Sequence, residues 1–310
     1  MSNLIFITIL STLAGSLLFY YLHLTISERI MNNFQAQKVW NLENEVIIVT
    51  GGSRGIGKQI VEDLALLKAR VLILDIKSPT FELPKNAVFY QADITSAKSI
   101  AEVALLIRES YGNPAVLVNN AGVFQHGTIL EKSEQEIRQT FEVNTIAHFL
   151  LLKEFLPSMI QKNRGHIVTV ASVASFVAVG EMVDYCCSKA SALTFHEGLK
   201  QELKYWYNAP NVRTSIIHPL WVDTPMIKGF TDYQSVFGQP VMSPDLVSQK
   251  VVEQIISGKS GNIILPKMIS VSSSLKALPL WMQEVVRSFV SSIVYQVAKV
   301  RSVDSKAFVT

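Results

Sequence analysis

The stretch Thr50-Gly51-Gly52-Ser53-Arg54-Gly55-Ile56-Gly57 lies between an apolar run, VIIVT at 46 to 50, and a helical period from about Ile56 to Leu67. Glycines at 51, 55 and 57 permit a tight turn and let backbone amides approach an anion, while the positive end of the following helix faces it. Three residues separate Gly51 from Gly55, unlike the Gly-x-Gly-x-x-Gly spacing. A glycine-rich turn without a ligand is the plainer alternative, but the strand, turn and helix setting favours a pyrophosphate cradle. The setting then repeats along the chain. RVLILD (70 to 75), AVFYQ (87 to 91), AVLVN (115 to 119), HIVTVAS (166 to 172), VRTSIIHP (212 to 219) and NIILP (262 to 266) are short, nearly continuous apolar runs. Helical periods divide them, from about Ser96 to Tyr111, Ser133 to Gln161 and Pro244 to Ser257. Short buried strands alternating with helices indicate an α/β protein with a doubly wound parallel sheet covered on both faces.

Composition bounds what lies outside that sheet. A chain of 310 residues holds one large α/β domain or two small ones. Its hydrophobic fraction of 49% and charged fraction of 17% are unusual for a soluble enzyme and suggest a part outside the aqueous fold. Residues 4 to 26, LIFITILSTLAGSLLFYYLHLTI, carry no formally charged side chain and are long enough to span the ~30 Å hydrocarbon core as a helix. A transmembrane anchor is expected over residues 1–28, with Tyr20, Tyr21 and His23 at the interface. A cleaved signal peptide would have a basic region before the apolar run, and a buried core helix is the other alternative. Arg29 and Lys38 follow the segment and orient the rest of the chain towards the cytosol.

A net charge of +3, without a basic helix interleaved with aromatics, gives no reason to expect nucleic acid. Cys186 and Cys187 are neighbours, which excludes a conventional disulfide framework and favours a reducing compartment. No Cys/His cluster has zinc spacing, so no metal site is expected.

Several side chains suit chemistry at the carboxyl ends of the strands. Asp75 ends the second strand about 18 residues past the glycine loop, where a carboxylate can accept hydrogen bonds from ribose hydroxyls; capping a turn before Pro79 is the alternative. Asp93 either contacts an adenine amino group or caps the helix beginning near Ser96. Asn119-Asn120-Ala121-Gly122 suits a strand end packed against a cofactor. Asn144 sits among apolar neighbours and needs buried partners or a bound water. Ser172 ends the fifth strand. Tyr185 and Lys189, four positions apart, share one helical face. A free tyrosine titrates near ~10, and an adjacent ammonium lowers that value towards proton exchange with an alcohol. An exposed helical Tyr/Lys pair is the alternative.

Together these residues resemble the short-chain dehydrogenase/reductase family. Thr50 to Gly57, Asn119 to Gly122, Asn144, Ser172 and Tyr185-Cys-Cys-Ser-Lys189 occur in that family's order, across about residues 43 to 266. The resemblance implies a Rossmann-type fold in which Tyr185 is the general acid/base and Lys189 lowers its pKa while binding the nicotinamide ribose. Ser172 would orient the substrate oxygen and Asn144 hold a water for a proton relay. Cofactor contacts are expected from Gly51, Ser53, Arg54, Gly55, Ile56, Gly57, Asp75, Asp93, Ile94, Asn120, Tyr185 and Lys189. The backbone of Val222 and the side chain of Thr224 match positions that contact the carboxamide, although Leu220 replaces a common glycine after Pro219. Asp75 favours NAD, with NADP the second choice because Arg54 and Lys77 are near. His218 is read as structural.

Residues 225 to 244 mix prolines, glycines and aromatics and are expected to form a mobile substrate lid lined by Met226, Ile227, Phe230, Tyr233 and Phe237. The expected organisation is an anchor (1–28), a linker (29–42), a dehydrogenase/reductase domain (43–268) and a C-terminal amphipathic tail (269–310). In that tail Val286, Val290, Ile293, Val294 and Val297 line one helical side; a membrane interface with Trp281 as anchor is preferred to packing on the body or a dimer contact. The anchor, Asp75 and the apolar lid resemble the membrane-associated retinol and hydroxysteroid dehydrogenase branch. That implies a membrane-anchored oxidoreductase of lipophilic alcohols or carbonyls facing the cytosol on endoplasmic reticulum or lipid droplets, with a homodimer open. A ketoreductase of lipid or secondary-metabolite synthesis and a non-catalytic, nucleotide-responsive membrane scaffold are the alternatives.

Overall fold

The computed structural model describes residues 2–35 and 39–307. Its parallel sheet contains β1 (Val46–Thr50), β2 (Arg70–Asp75), β3 (Ala87–Gln91), β4 (Val116–Asn119), β5 (Gly165–Val170), β6 (Val212–Pro219) and β7 (Gly261–Leu265). They stand in the order β3-β2-β1-β4-β5-β6-β7. The chain builds outward from β1 to β3, then returns to lay β4 on the other side of β1. At that reversal the loops after β1 and β4 part in opposite directions and open a crevice at the strands' carboxyl ends.

Both faces of the sheet are covered, which is why the strands read as continuous apolar runs. On one face α2 (Gly55–Leu66) and α9 (Pro244–Ser257) pack together over Ile47, Val49, Ile73 and Ile217. On the other, α3 (Ala97–Tyr111), α5 (Ala147–Gln161) and α6 (Val183–Tyr205) cover Ile48, Leu72, Leu117 and Ile167. Ile60, Leu64, Ile107 and Phe155 are wholly enclosed, and burial of each such side chain contributes about 1.5–3 kcal/mol. Local chemistry sets the helix starts. Ser96 accepts from the Ser99 N–H before α3, and Ser243 with Pro244 opens α9. Ser133 and Glu136 form a capping box for α4 (Glu134–Phe141).

Several expectations change. The single helix expected from Ser133 to Gln161 is interrupted by a π turn at Glu142–Ile146, where the Ala147 N–H reaches back five residues to the Glu142 carbonyl. Residues 225 to 237 are not an irregular lid. They form a 3₁₀ turn at Pro225–Ile227 followed by α7 (Lys228–Thr231) and α8 (Gln234–Phe237), because Phe230 and Phe237 are buried in a cluster with Trp221 and Phe124. The tail is a 3₁₀ run, Lys267–Ala277, and a helix, α10 (Leu280–Ala307), whose Val294 and Val297 are buried in the same cluster. Body packing therefore takes that face, while Leu280, Trp281, Val285 and Phe289 remain exposed.

The amino-terminal segment is helical as expected, forming α1 (Ser2–Met31). Its foot is fastened to the body: the Asn32 carbonyl accepts from Arg213 at 3.0 Å, Asn32 Oδ1 accepts from the Ser260 N–H at 2.8 Å, and Glu28 pairs with Lys259. The expected transmembrane span over 4 to 26 needs correcting, since among the described residues no helix is long and apolar enough to cross a membrane. Of the side chains described between Gly15 and Ile30, Leu17, Leu18, Phe19, Leu22 and Leu24 are exposed beside Ser16, His23 and Thr25, and Glu28 and Arg29 follow, so this apolar stretch is shorter than the ~20 residues a span needs. Lys38, used for the expected orientation, lies outside the described residues.

Candidate active site

The glycine loop is shaped by contacts too close for side chains. Gly51 has φ +65°, and a Cβ there would lie 2.8 Å from the Ala121 backbone; at Gly57 it would lie 2.1 Å from the Gly51 carbonyl oxygen. The turn thus folds tightly on itself and against the end of β4. Asn120 braces it by donating to the carbonyls of Thr50 (3.0 Å) and Gly51 (3.2 Å), while Thr50 Oγ1 accepts from the N–H groups of Asn120 and Ala121. This cradle fits a pyrophosphate, since removing the side chains brings backbone to the start of α2.

Asp75 takes the turn-closing role read as its alternative. One carboxylate oxygen accepts from the Lys77 N–H (3.2 Å), closing the turn after β2, and the other accepts from the Ser53 N–H (3.1 Å), tying β2 to the glycine loop. Ser53 Oγ donates to the Lys77 carbonyl at 2.6 Å. Asp93 accepts from the N–H and hydroxyl of Thr95, so it closes a local turn, and Ser96 is the residue that caps α3.

Past β5, Ser172 is nearly buried; its Oγ accepts from the Ala174 N–H and donates to the Pro219 carbonyl at 3.3 Å. Tyr185 stands on the first turns of α6. Burial pushes its phenol up to about 12, opposed by a hydrogen bond with Ser172. Lys189, one turn on, is almost completely buried, donates to the Val170 carbonyl at 3.1 Å and lies 5.6 Å from the centre of the Tyr185 ring. Desolvation lowers it to about 8. The expected lowering of the tyrosine pKa by Lys189 is therefore not what dominates: the low-polarity surroundings outweigh it, and the ammonium is directed at a backbone carbonyl.

Asn144 sits on the π turn with its amide fully engaged. It accepts from the Val123 N–H (2.8 Å) and donates to the Val123 carbonyl (2.9 Å) and Ser188 Oγ (3.0 Å), and Ser188 in turn donates to the Tyr185 carbonyl. It straps the loop after β4 to the turn bearing Tyr185. Gly122 marks where these groups converge, since a Cβ there would lie 3.5 Å from Asn144 Oδ1 and 3.6 Å from Lys189 Nζ.

One cavity of about 980 Å³ joins these parts. Its lining includes Gly51, Arg54, Ile56, Asp75, Asp93, Ile94 and Asn120 as well as Ser172, Tyr185, Lys189, Val222 and Thr224. Ser53, Gly55, Gly57 and Asn144 are not in its lining and act from behind it. Thr224 closes on the glycine loop, 3.2 Å from where a Cβ of Gly55 would be. Of the expected lid residues Met226 and Ile227 face the cavity, whereas Phe230 and Phe237 are core. His218 is buried with its Nδ1 3.0 Å from the Ser172 carbonyl and is lowered to about 4 by burial, consistent with its structural reading.

Other groups near Tyr185 make contacts that the sequence did not reveal. Ser175 Oγ donates to the Lys189 carbonyl (2.8 Å), which binds the turn after Ser172 to α6. Lys132 and Asp184 form a buried ion pair beside Tyr185, and Thr140 donates to the same carboxylate at 3.0 Å. Nothing in the spacing of the sequence links Lys132 to Asp184.

Residues 45–235 match the short chain dehydrogenase family. Dehydrogenase RED2 of Cochliobolus heterostrophus is 41% identical over 194 residues, covering 62% of this chain and 73% of that one. Human 17-beta-hydroxysteroid dehydrogenase 13 is 32% identical over 261 residues, 81% and 85% of the two chains. Mouse estradiol 17-beta-dehydrogenase 11 is 31% identical over 259 residues, with the same coverages of 81% and 85%. Among solved structures, a 3-ketoacyl-(acyl-carrier-protein) reductase from Brucella melitensis complexed with NADH shares the fold, with a TM-score of 0.64 and 21% identity over 72% of this chain and 97% of that one.

Proposed function

The chain belongs to the short-chain dehydrogenase family and is an NAD(P)-dependent oxidoreductase of small molecules, and from that premise we propose that it exchanges hydride with a lipophilic alcohol or carbonyl compound of retinoid, steroid or long-chain type. The observation that carries this reading is a cavity lined both by the glycine loop and Asp75 and by Ser172 and Tyr185. Its substrate end is walled by Val173, Val177, Val179, Met182, Leu220 and Trp221. Such a wall desolvates an apolar substrate at little cost, and relatives named as hydroxysteroid dehydrogenases point to the same class.

A bound nicotinamide supplies the hydride chemistry. The protein's part is to hold the reacting carbon and move one proton. Ser172 Oγ hydrogen-bonds the substrate oxygen, and Tyr185 gives its phenolic proton to that oxygen in reduction or takes it in oxidation. Lys189 supplies positive charge and a donor beside the ring; Asn144 and Ser188 hold the tyrosine-bearing turn in place. Gly51, Gly57 and the start of α2 receive the pyrophosphate, and Asp75 favours NAD over NADP. We further read the exposed apolar side chains of α1 as a membrane-surface contact, and exposed Ile146 and Phe149 beside α5 as a contact between two copies.

Tyr185→Phe tests the assignment. NADH consumption with a lipophilic ketone should fall by about 10²–10⁴-fold, the usual contribution of a positioned acid, while NADH binding persists. Equal turnover by the variant and the unaltered protein would sink the catalytic role.

A further inference from the structure

The family match ends at residue 235, yet Val290 of α10 stands in the cavity wall. The helix that carries it is held by more than apolar packing. Val290, Val294, Val297 and Arg301 follow one another at four, three and four positions and share one face. Val294 and Val297 are buried against the cluster of Ile227, Phe230 and Phe237. Arg301 continues that face into polar contacts: one guanidinium nitrogen pairs with Glu181, and the other lies 2.7 Å from His126 Nδ1. Burial lowers His126 to about 4, so its ring is neutral and can accept this bond. Ser291 Oγ accepts from the Gly180 N–H at 3.2 Å. Gly180 and Glu181 belong to the segment between Ser172 and Tyr185, so α10 rests on the substrate end of the cavity rather than the end bearing Asp75. Glu181 itself has φ +63°, a conformation that costs a side-chain-bearing residue energy and needs surrounding contacts to hold it.

We propose that α10 is the substrate-discriminating wall of the cavity, with Val290 touching the apolar part of the substrate beyond the reacting carbon and Arg301 the positioning residue that seats this wall through Glu181 and His126. The proposal rests on the reading of the site as an oxidoreductase of lipophilic carbonyls. Its chemistry is simple. An isopropyl group on a fastened helix offers apolar contact only to a substrate long enough to reach it, so short and long substrates should respond differently to changes there.

The test uses the full chain, NADH, and a short and a long unbranched methyl ketone. Val290→Trp should raise the ratio of the long ketone's KM to the short ketone's about tenfold, equivalent to ~1.4 kcal/mol. Val290→Ala, which cannot block the cavity, should raise the same ratio by a smaller factor. Arg301→Gln should raise amide hydrogen exchange across 285–300 and weaken the long ketone selectively. Equal KM shifts for both ketones in the Val290 variants, or unchanged exchange in Arg301→Gln, would overturn the proposal. If the unaltered protein binds NADH but turns over neither ketone, the lipophilic-carbonyl reading fails and takes the discriminating role of Val290 with it, whereas failure of the α10 proposal alone leaves wild-type turnover intact.

Discussion

Tyr185 and Lys189 share one face of α6, and their surroundings push both towards their neutral forms. Burial lifts the phenol to about 12 and lowers the ammonium to about 8. The spacing of the pair was legible because it is a local property of a helix; the direction of the tyrosine shift was not, because it depends on how many distant residues exclude water from the ring. The signs give a pH prediction. In reduction, Tyr185 keeps its proton at every pH below about 12 and Lys189 loses its charge above about 8, so kcat/KM should be flat below pH 8 and fall above it. Oxidation needs the phenolate together with the ammonium, so it should rise with pH up to about 8 and level off above it, as each gain in phenolate is offset by loss of the Lys189 charge. A reduction profile still flat well above the Lys189 value would refute the role given to its charge. The same shift bears on stability: between about 8 and 10.5 the unfolded chain binds the proton that folded Lys189 has released, so this site's contribution to stability rises with pH across that window. Asp75→Ala is the second residue-scale prediction. With the carboxylate gone and Arg54 and Lys77 still on the cavity wall, the NAD over NADP preference in kcat/KM should drop about tenfold; an unaltered protein that favours NADP would contradict the reading of Asp75.

Elements are joined around the site by pairs that lie far apart in the chain. The β4–α4 loop reaches α6 through Lys132 and Asp184, whose side chains are only 3% and 8% exposed. Removing one partner leaves a buried charge without its counterpart, so Lys132→Ala should cost about 3–5 kcal/mol in denaturant unfolding. Lys132→Met with Asp184→Leu should recover most of that loss; a double variant as unstable as the single would show that packing, not charge, is at stake. The strands and most helix starts were legible, since apolar runs and Ser-led caps are short-range signals. The π turn at Glu142–Ile146 was not, because Asn144 can reach both Val123 and Ser188 only once the β4 loop and α6 are packed beside it. Likewise the aromatics at 230 and 237 suited a lid lining or a core equally well until Trp221 and Phe124 were brought against them.

At the scale of the whole molecule, the chain separates into a sheet-centred body and α1, which meets that body at its foot. Glu28, Asn32 and Asn33 make that joint through Lys259, Ser260, Arg213 and Pro210. Deleting residues 1–27 keeps all of these contacts, so the free energy of denaturant unfolding should stay within about 0.5 kcal/mol of the full chain, while co-sedimentation with phospholipid vesicles should be lost. Retention on vesicles would shift the membrane contact to exposed groups such as Trp281 and Phe289 of α10. The sequence by itself determined the alternation of strands and helices, the glycine cradle, and the order of Asn144, Ser172, Tyr185 and Lys189, because each is written in neighbouring residues and their periodicity. Only the tertiary structure decided that burial governs Tyr185, that Asn144 is a strap, and that α10, tied down by Arg301 to Glu181 120 positions away, brings Val290 to the cavity wall. Those outcomes depend on which distant surfaces exclude water from one another, and no local pattern of residues encodes that.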